Sequence, residues 1–269
     1  MTLSELASRE IKSTSPATTI LKVAEEMRLW KIGSLFIEEN GRYIGIVTDS
    51  DLSRKVLTKK IPYDMPARDI MHSPILEIDI EKSMVEANHL MHLNGIRHLA
   101  ISEEGRIIGL VSVRDIVQHF YSDQNSTLNK MEDIYNPLSV LTRRHIQSIS
   151  GSASCREAAQ KMTGSKIGSL LVSEGRQYSG IVTETDLTRK IIGFNLSASD
   201  IPVGAIMNTP IVDIDISRSV LEATEKMALQ GIRHLAVREE KEIVGILSIR
   251  DLIGMISIRD LPRFSSKKD

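Results

Sequence analysis

Four times the chain sets a hydroxyl residue three positions before an aspartate: Thr48 with Asp51, Ser112 with Asp115, Thr183 with Asp186 and Ser248 with Asp251. A carboxylate only accepts hydrogen bonds while a hydroxyl both donates and accepts, so such a pair can hold a vicinal diol such as ribose. An aspartate at a helix start can also serve as a cap, a role that Ser, Thr or Asn would fill equally well. All four copies keep Asp, which favours ligand contact, by analogy with the ribose-binding acid of dinucleotide sites. In the second and fourth copies an arginine, Arg114 or Arg250, stands directly before the Asp, and Arg97-His98 and Arg233-His234 precede it in the same frame. Guanidinium groups match phosphate oxygens in pairs, and an adjacent imidazole adds a donor whose charge depends on pH. The plainer reading, surface charge paired with Asp or Glu, weakens because the pattern repeats in register. The first and third copies instead carry Lys31 and Lys166 before the strand and Arg54, Lys55, Arg189 and Lys190 beyond the Asp, with the acids Asp49 and Glu184 less suited to phosphate. The second and fourth copies are therefore expected to be the stronger phosphate sites.

These residues need elements to position them, and the text around them supplies a plan. Each pair closes an apolar run opened by glycine, as in YIGIVTDSD ending at Asp51, IIGLVSVRD at Asp115, YSGIVTETD at Asp186 and IVGILSIRD at Asp251. Gly45 and Gly180 are 135 residues apart, and Gly109 and Gly245 are 136 apart, whereas the first and second copies are separated by 64 and the third and fourth by 65. KIGSL at Lys31–Leu35 returns at Lys166–Leu170, and GIRHL at Gly95–Leu99 returns at Gly231–Leu235, so first and third repeats share one dialect and second and fourth another. Each repeat reads as strand, helix, strand, strand, helix. In the first, Thr18 or Thr19 caps a helix with apolar Ile20, Val23, Ala24, Met27 and Trp30, and Asn40-Gly41 turns a hairpin. Gly95 falls where the first repeat has Ile32 and Gly33, which suggests that the dialects bend differently there.

The expected fold class is α/β (α+β), each repeat a small sheet flanked by two helices and the four paired into two pseudo-two-fold modules. Such units bury their apolar face only against a neighbour, and the spacing suggests first with second and third with fourth. Expected boundaries are 10–60, 67–121, 145–195 and 203–258. Residues 122–144 form a linker whose Met131, Ile134, Leu138, Val140 and Leu141 should dock it against the repeats. Residues 1 to about 9 read as an amphipathic or frayed lead-in, and the polar tail after Ile258 as fraying.

Composition narrows the function. With 269 residues, 41% apolar and a net charge of -1, the chain has the makeup of one large or two ordinary globular domains and no bulk charge for nucleic acid or membrane. Aromatics at 4% also argue against single-strand stacking. The single cysteine, Cys155, has no partner for a disulfide and no placed base. His89 and His92 lie on a helix without a suitable acidic partner, so no metal is expected. Phosphate-loop and dinucleotide fingerprints are missing. Charged Glu5, Arg9 and Glu10 argue against a secretory segment, and no apolar run approaches a membrane span of about 20 residues, which makes cytoplasmic residence the default. Little length remains outside the repeats for a catalytic domain, so the chain is not expected to be an enzyme.

The glycine-to-aspartate strings, the KIGSL and GIRHL strands and the segments IMHSP at Ile70–Pro74 and IMNTP at Ile206–Pro210 resemble the cystathionine-beta-synthase-type, or CBS, domain family. The resemblance covers residues of about 10 to 258, as four domains in two tandem pairs, or Bateman modules. It implies that the four hydroxyl–Asp pairs bind adenosine ribose and that Arg97, His98, Arg114, Arg233, His234 and Arg250 meet phosphate. It implies too that Ile75, Ile96, Ile211 and Ile232 hold the base, with Ile11, Ile32, Ile146 and Ile167 as their counterparts in the odd repeats. The implied function is a non-enzymatic sensor of adenine nucleotides that signals to a partner protein, AMP leading, then ADP and ATP, with S-adenosylmethionine behind them. No catalytic cofactor is implied. The alternative is a ligand-independent scaffold with decayed sites. The modules would stack as a disk, either within one chain, as in the regulatory subunit of AMP-activated kinase, or as a homodimer.

Overall fold

In the computed structural model, which describes residues 3–7, 10–122, 132–142, 144–175, 177–252 and 254, a one-turn helix α1 (Ser4–Ala7) precedes the first repeat. That repeat comprises β1 (Ser13–Thr14), α2 (Ile20–Leu29), β2 (Ser34–Glu39), β3 (Arg42–Thr48) and α3 (Asp49–Asp51), which continues as a π-helical stretch over Leu52–Leu57. The second has β4 (Glu77–Asp79), α4 (Met84–Leu93), β5 (His98–Glu103), β6 (Arg106–Ser112) and α5 (Val113–Ser122). The third has β7 (Ser148–Ser150), α6 (Cys155–Gly164), β8 (Ser169–Glu174), β9 (Gln177–Thr183) and α7 (Glu184–Asp186), again running into a π-helical stretch, Leu187–Ile191. The fourth has β10 (Asp213–Asp215), α8 (Val220–Gln230), β11 (His234–Glu239) and β12 (Glu242–Ser248). Of the final helix expected over Asp251–Ile258, residues 253 and 255–258 lie outside the described residues, as do 123–131 of the linker and the tail 259–269.

Each sheet has three strands, the first parallel to the second and the second antiparallel to the third. The hairpin turn sets the register: Asn40 and Gly41 have φ of 53° and 73°, the pair of positive values a two-residue type I′ turn needs. Side-chain caps start the long helices. Thr19 Oγ1 accepts from Lys22 N, and Ser83, Ser154 and Ser219 form reciprocal boxes with Glu86, Glu157 and Glu222. The turn that closes each helix is the same in all four repeats: Lys31, Gly95, Lys166 and Gly231 have φ of 56°, 61°, 55° and 63°. The expected difference in bend between dialects is thus a difference in residue only, with Gly relaxed and Lys strained in one left-handed conformation.

The glycine that opens each string makes room for a neighbouring segment. Ile46 of β3 exchanges both backbone hydrogen bonds with His72, at 3.0 and 2.9 Å. A Cβ on Gly45 would lie 2.5 Å from Met71 Sδ and 3.0 Å from the His72 carbonyl. Gly180 meets Met207 and Asn208 in the same way, at 2.6 and 3.0 Å, and Gly109 lies against Ala7 of α1, whose Cα would be 3.1 Å from an added Cβ. The lead-in is accordingly packed rather than frayed over its described part, and Leu3 is fully buried.

Contacts divide the chain into two units, each joining alternate repeats. One unit holds Ile11–Ile75 and Ile146–Val212, the first and third repeats; the other holds Met1–Glu10, Leu76–His145 and Asp213–Asp269, the second and fourth. Inside each unit the two repeats share a dialect. In the first unit Ile20 N and Ala67 N bond the carbonyls of Met65 and Thr18, so the segment after the first repeat folds back on that repeat's own helix start. Cys155 with Ile201 and Val203 with Ala153 repeat this in the third. In the other unit the corresponding bonds, Val220 N to Asn136 O at 3.1 Å and Leu138 N to Arg218 O at 2.8 Å, carry the segment after the second repeat onto the fourth. The described part of the linker docks through Ile134 and Leu138, which are buried, whereas Val140 is exposed and Met131 lies outside the described residues.

Candidate functional site

Every hydroxyl–Asp pair sits where a strand becomes a helix, and every pair is internally bonded. Thr48 N and Oγ1 donate to Asp51 Oδ2 at 2.9 and 2.7 Å, and the hydroxyl accepts from Asp51 N. Ser112 with Asp115, Thr183 with Asp186 and Ser248 with Asp251 repeat the arrangement, with hydroxyl-to-carboxylate distances of 2.5, 2.6 and 2.6 Å. The capping role is therefore real in all four copies. It uses Oδ2 and leaves Oδ1 for other work.

What Oδ1 meets separates the dialects. Asp51 Oδ1 lies 3.0 Å from Lys55 Nζ and 3.1 Å from His72 Nε2, and its carboxylate is buried. Asp186 Oδ1 lies 2.9 Å from Lys190 Nζ, while Asn208 Nδ2 donates to Oδ2 at 2.8 Å. Both lysines also donate to the following segment, to the Ile70 and Ile206 carbonyls at 2.7 Å. Lys55 and Lys190 thus neutralise the aspartate on their own helix one turn away. The second and fourth repeats have His119 and Met255 at the equivalent places. Asp115 is only half-buried and Asp251 is exposed.

The centre of the odd-repeat unit is acidic and closed on itself. Buried Glu184 accepts from Arg54 Nε at 2.7 Å and from Ser50 Oγ at 2.9 Å, and Asp49 accepts from Thr185 Oγ1 at 2.7 Å. Arg54 Nη2 reaches the Ile167 carbonyl and Arg189 Nη2 the Ile32 carbonyl, at 3.4 and 3.1 Å, a reciprocal pair that marks an approximate two-fold axis within this unit. Gly33-Ser34 and Gly168-Ser169 stand where the even repeats have Arg97-His98 and Arg233-His234.

The even-repeat unit has the opposite character at the same positions. Val113 and Ile249 replace the acids Asp49 and Glu184, and Arg114 and Arg250 replace Ser50 and Thr185. Arg114 Nη2 donates to the Gly231 carbonyl at 3.0 Å and Arg250 Nη2 to the Gly95 carbonyl at 2.7 Å, so each arginine crosses to the turn of the other repeat. His98 opens β5 directly opposite Ser112, as His234 opens β11 opposite Ser248. Burial holds the His98 imidazole well below its ordinary 6.5, and the positive charges of Arg97, Arg233, Arg114 and Arg250 push it in the same direction. Arginines from both repeats thus act on one imidazole. Of the residues expected to meet phosphate, Arg97, Arg114, Arg233 and Arg250 lie near enough to His98 to act on its charge.

The base-contact candidates are less concentrated. Ile96 and Ile232 belong to the unit with the arginines, whereas Ile75 and Ile211 fall in the other, and all four are half-buried. Ile11, Ile32, Ile146 and Ile167 are also half-buried. His72 and Asn208, the extra partners of Asp51 and Asp186, are contacts that motif reading missed; their place in the repeated IMHSP and IMNTP segments was the available signal. Among the described residues no group of three His, Cys, Asp or Glu side chains is placed to hold a metal, and no helix is long and apolar enough to cross a membrane. Burial pushes the Cys155 thiol up to about 12, which leaves it unreactive.

Comparison with known proteins agrees with this architecture. The CBS domain model matches residues 3–58, 67–122, 138–193 and 203–258. An uncharacterised protein of Methanopyrus kandleri is 38% identical over 121 residues, which is 44% of this chain and 62% of that protein. An uncharacterised 17.7 kDa protein of Acidianus ambivalens is 30% identical over 118 residues, covering 43% of this chain and 71% of the relative. Another from Methanocaldococcus jannaschii is 23% identical over 77% of this chain and 52% of its own length, so the chain spans only part of several curated relatives. Among solved structures, a Methanocaldococcus jannaschii protein described as an archaeal homologue of g-AMPK superposes with a TM-score of 0.78 at 18% identity, over 95% of this chain and 99% of that one. An uncharacterised conserved protein of Pyrococcus horikoshii gives 0.63 at 18% identity, over 95% and 100%. At that identity the likeness is one of fold.

Proposed function

Because the chain belongs to the CBS-domain family, with four such domains in tandem, we propose that it is a non-enzymatic regulatory protein that binds adenine nucleotides through its second and fourth repeats. The observation that carries this reading is the reciprocal crossing of Arg114 and Arg250, each reaching to the turn of the other repeat, in the unit that also holds Arg97, His98, Arg233 and His234. A phosphate with several acceptor oxygens matches guanidinium geometry. The ribose would use the second carboxylate oxygen of Asp115 or Asp251, and Ile96 and Ile232 supply apolar surface for a base. AMP is the first candidate, followed by ADP and ATP; S-adenosylmethionine, a cation at its sulfur, is disfavoured by the same arginines. Binding would change how the even-repeat unit presents itself to a regulated protein.

The first and third repeats support a second role. Their aspartates are already engaged by Lys55, His72, Lys190 and Asn208, and their centre carries Asp49 and Glu184. This unit is read as a ligand-independent brace.

Titration calorimetry of the purified chain against AMP, ADP, ATP and S-adenosylmethionine tests the proposal. AMP is expected to bind, and Arg250→Ala to weaken it by about tenfold or more, the loss of one charge-assisted contact. If no adenosyl compound binds tighter than about millimolar, near 4 kcal/mol of binding free energy, the sensor reading is wrong.

A further inference from the structure

The odd-repeat unit contains a groove that the nucleotide reading does not use. It lies between the end of the first repeat and the loop after α7, with a volume of about 320 Å³, the size of a small-ligand pocket. Leu57 and Ile61 line one side and Leu196 the other, and the Tyr63 hydroxyl ties the two sides by donating to the Leu196 carbonyl at 3.2 Å. Two cations complete the lining: Lys60, held in a left-handed conformation with φ of 58°, and Arg156, from the first turn of α6. No carboxylate lines the groove, and neither cation has an ion-pair partner among the described residues. The Nε of Arg156 is buried and makes no hydrogen bond there, although a buried donor left in that state is costly.

We propose that this groove binds a small organic anion, with a hydrocarbon body the size of one ring or a short chain and a single carboxylate or phosphate head. The body would displace water from Leu57, Ile61 and Leu196, while the head would pair with Arg156 and Lys60 and satisfy the buried Nε. The Tyr63 hydroxyl gives its hydrogen to the Leu196 carbonyl, so it adds no donor for the anion. Backbone bonds hold the geometry: Arg156 N donates to the Ala198 carbonyl at 2.9 Å and Leu196 N to the Ile191 carbonyl at 3.0 Å.

Methyl-resolved NMR of the full chain, titrated separately with phenyl phosphate, hexanoate and benzyl alcohol, is the test. Saturable shifts at Leu57, Ile61 and Leu196 with either anion are expected, with benzyl alcohol weaker by about tenfold, the usual weight of one charge-assisted contact. Arg156→Gln and Lys60→Gln should each weaken anion binding several-fold while leaving the ligand-free spectrum unchanged. Should Arg156→Gln perturb that spectrum, the exposed Lys60 variant carries the test alone. Shifts that fail to localise to the groove, benzyl alcohol binding as tightly as the anions, or Lys60→Gln binding like the parent chain would each overturn the assignment.

Discussion

A carboxylate that caps a helix can still serve a ligand, because the cap consumes one oxygen and leaves another. In Asp51 that second oxygen is held by Lys55 and His72 inside the protein, whereas Asp251 is exposed and bonded only within its own cap among the described residues. The two substitutions should therefore fail in opposite ways. Asp51→Ala should cost about 1–3 kcal/mol of stability, since it removes a cap, the counter-charge of Lys55 and the hydrogen-bond partner of His72, and should leave AMP affinity near that of the parent. Asp251→Ala should cost about 1 kcal/mol or less and weaken AMP by about tenfold. Urea denaturation and calorimetry on the pair read both quantities, and equal affinity losses would mean that the odd aspartates bind nucleotide too. The hydroxyl–Asp pairs and the Arg-His dipeptides were legible in the sequence because they are local. Which carboxylates were already occupied was not, because His72 and Asn208 arrive on a segment beyond the helix.

Among the elements, the segments that follow the repeats shape the site as much as the strands do. Pro66, Pro137 and Pro202 each begin a single 3-10 turn that joins a helix start, and PARDIM, PLSVLT and PVGAIM are three versions of one string. The middle version escaped notice as a repeat because it has Leu141-Thr142 where the others have Ile-Met, and because its target, the start of α8, is a distant helix. The long helices and hairpins, by contrast, follow directly from capping residues and turn glycines. Strand glycines hold the segments in place. Gly180→Ala should push its methyl into Met207 and Asn208 and destabilise by about 1–3 kcal/mol, the usual cost of overpacking. Gly164→Ala, at the end of α6 with open space around it, should be neutral or stabilising by up to about 1 kcal/mol. Thermal unfolding of the two variants compares them, and a neutral Gly180→Ala would show that the Met207 segment yields easily.

For the molecule as a whole, the partners in each unit come from opposite halves of the sequence. A chain ending at His145 retains one repeat of each unit and loses both partners. Its exposed faces, including Leu52, Val56 and Leu57 from the odd repeat, are buried in the full chain. Because partners share a dialect, a second copy of the same fragment can stand in for the missing half: the arginine equivalent to Arg54 would meet Asp49 where Glu184 now sits. Residues 1–145 should therefore form a homodimer by light scattering. A stable, folded monomer would show that each repeat pair survives without its like-for-like contacts.

The interlaced order of segments also has a meaning in time. During synthesis the first two repeats leave the ribosome before either can find its mate, and the odd-repeat unit closes only after the third repeat emerges, while the even-repeat unit waits for the fourth. Nascent chains thus carry unmatched apolar faces until the later repeats emerge, and two such chains on one message present each other with the surfaces they lack.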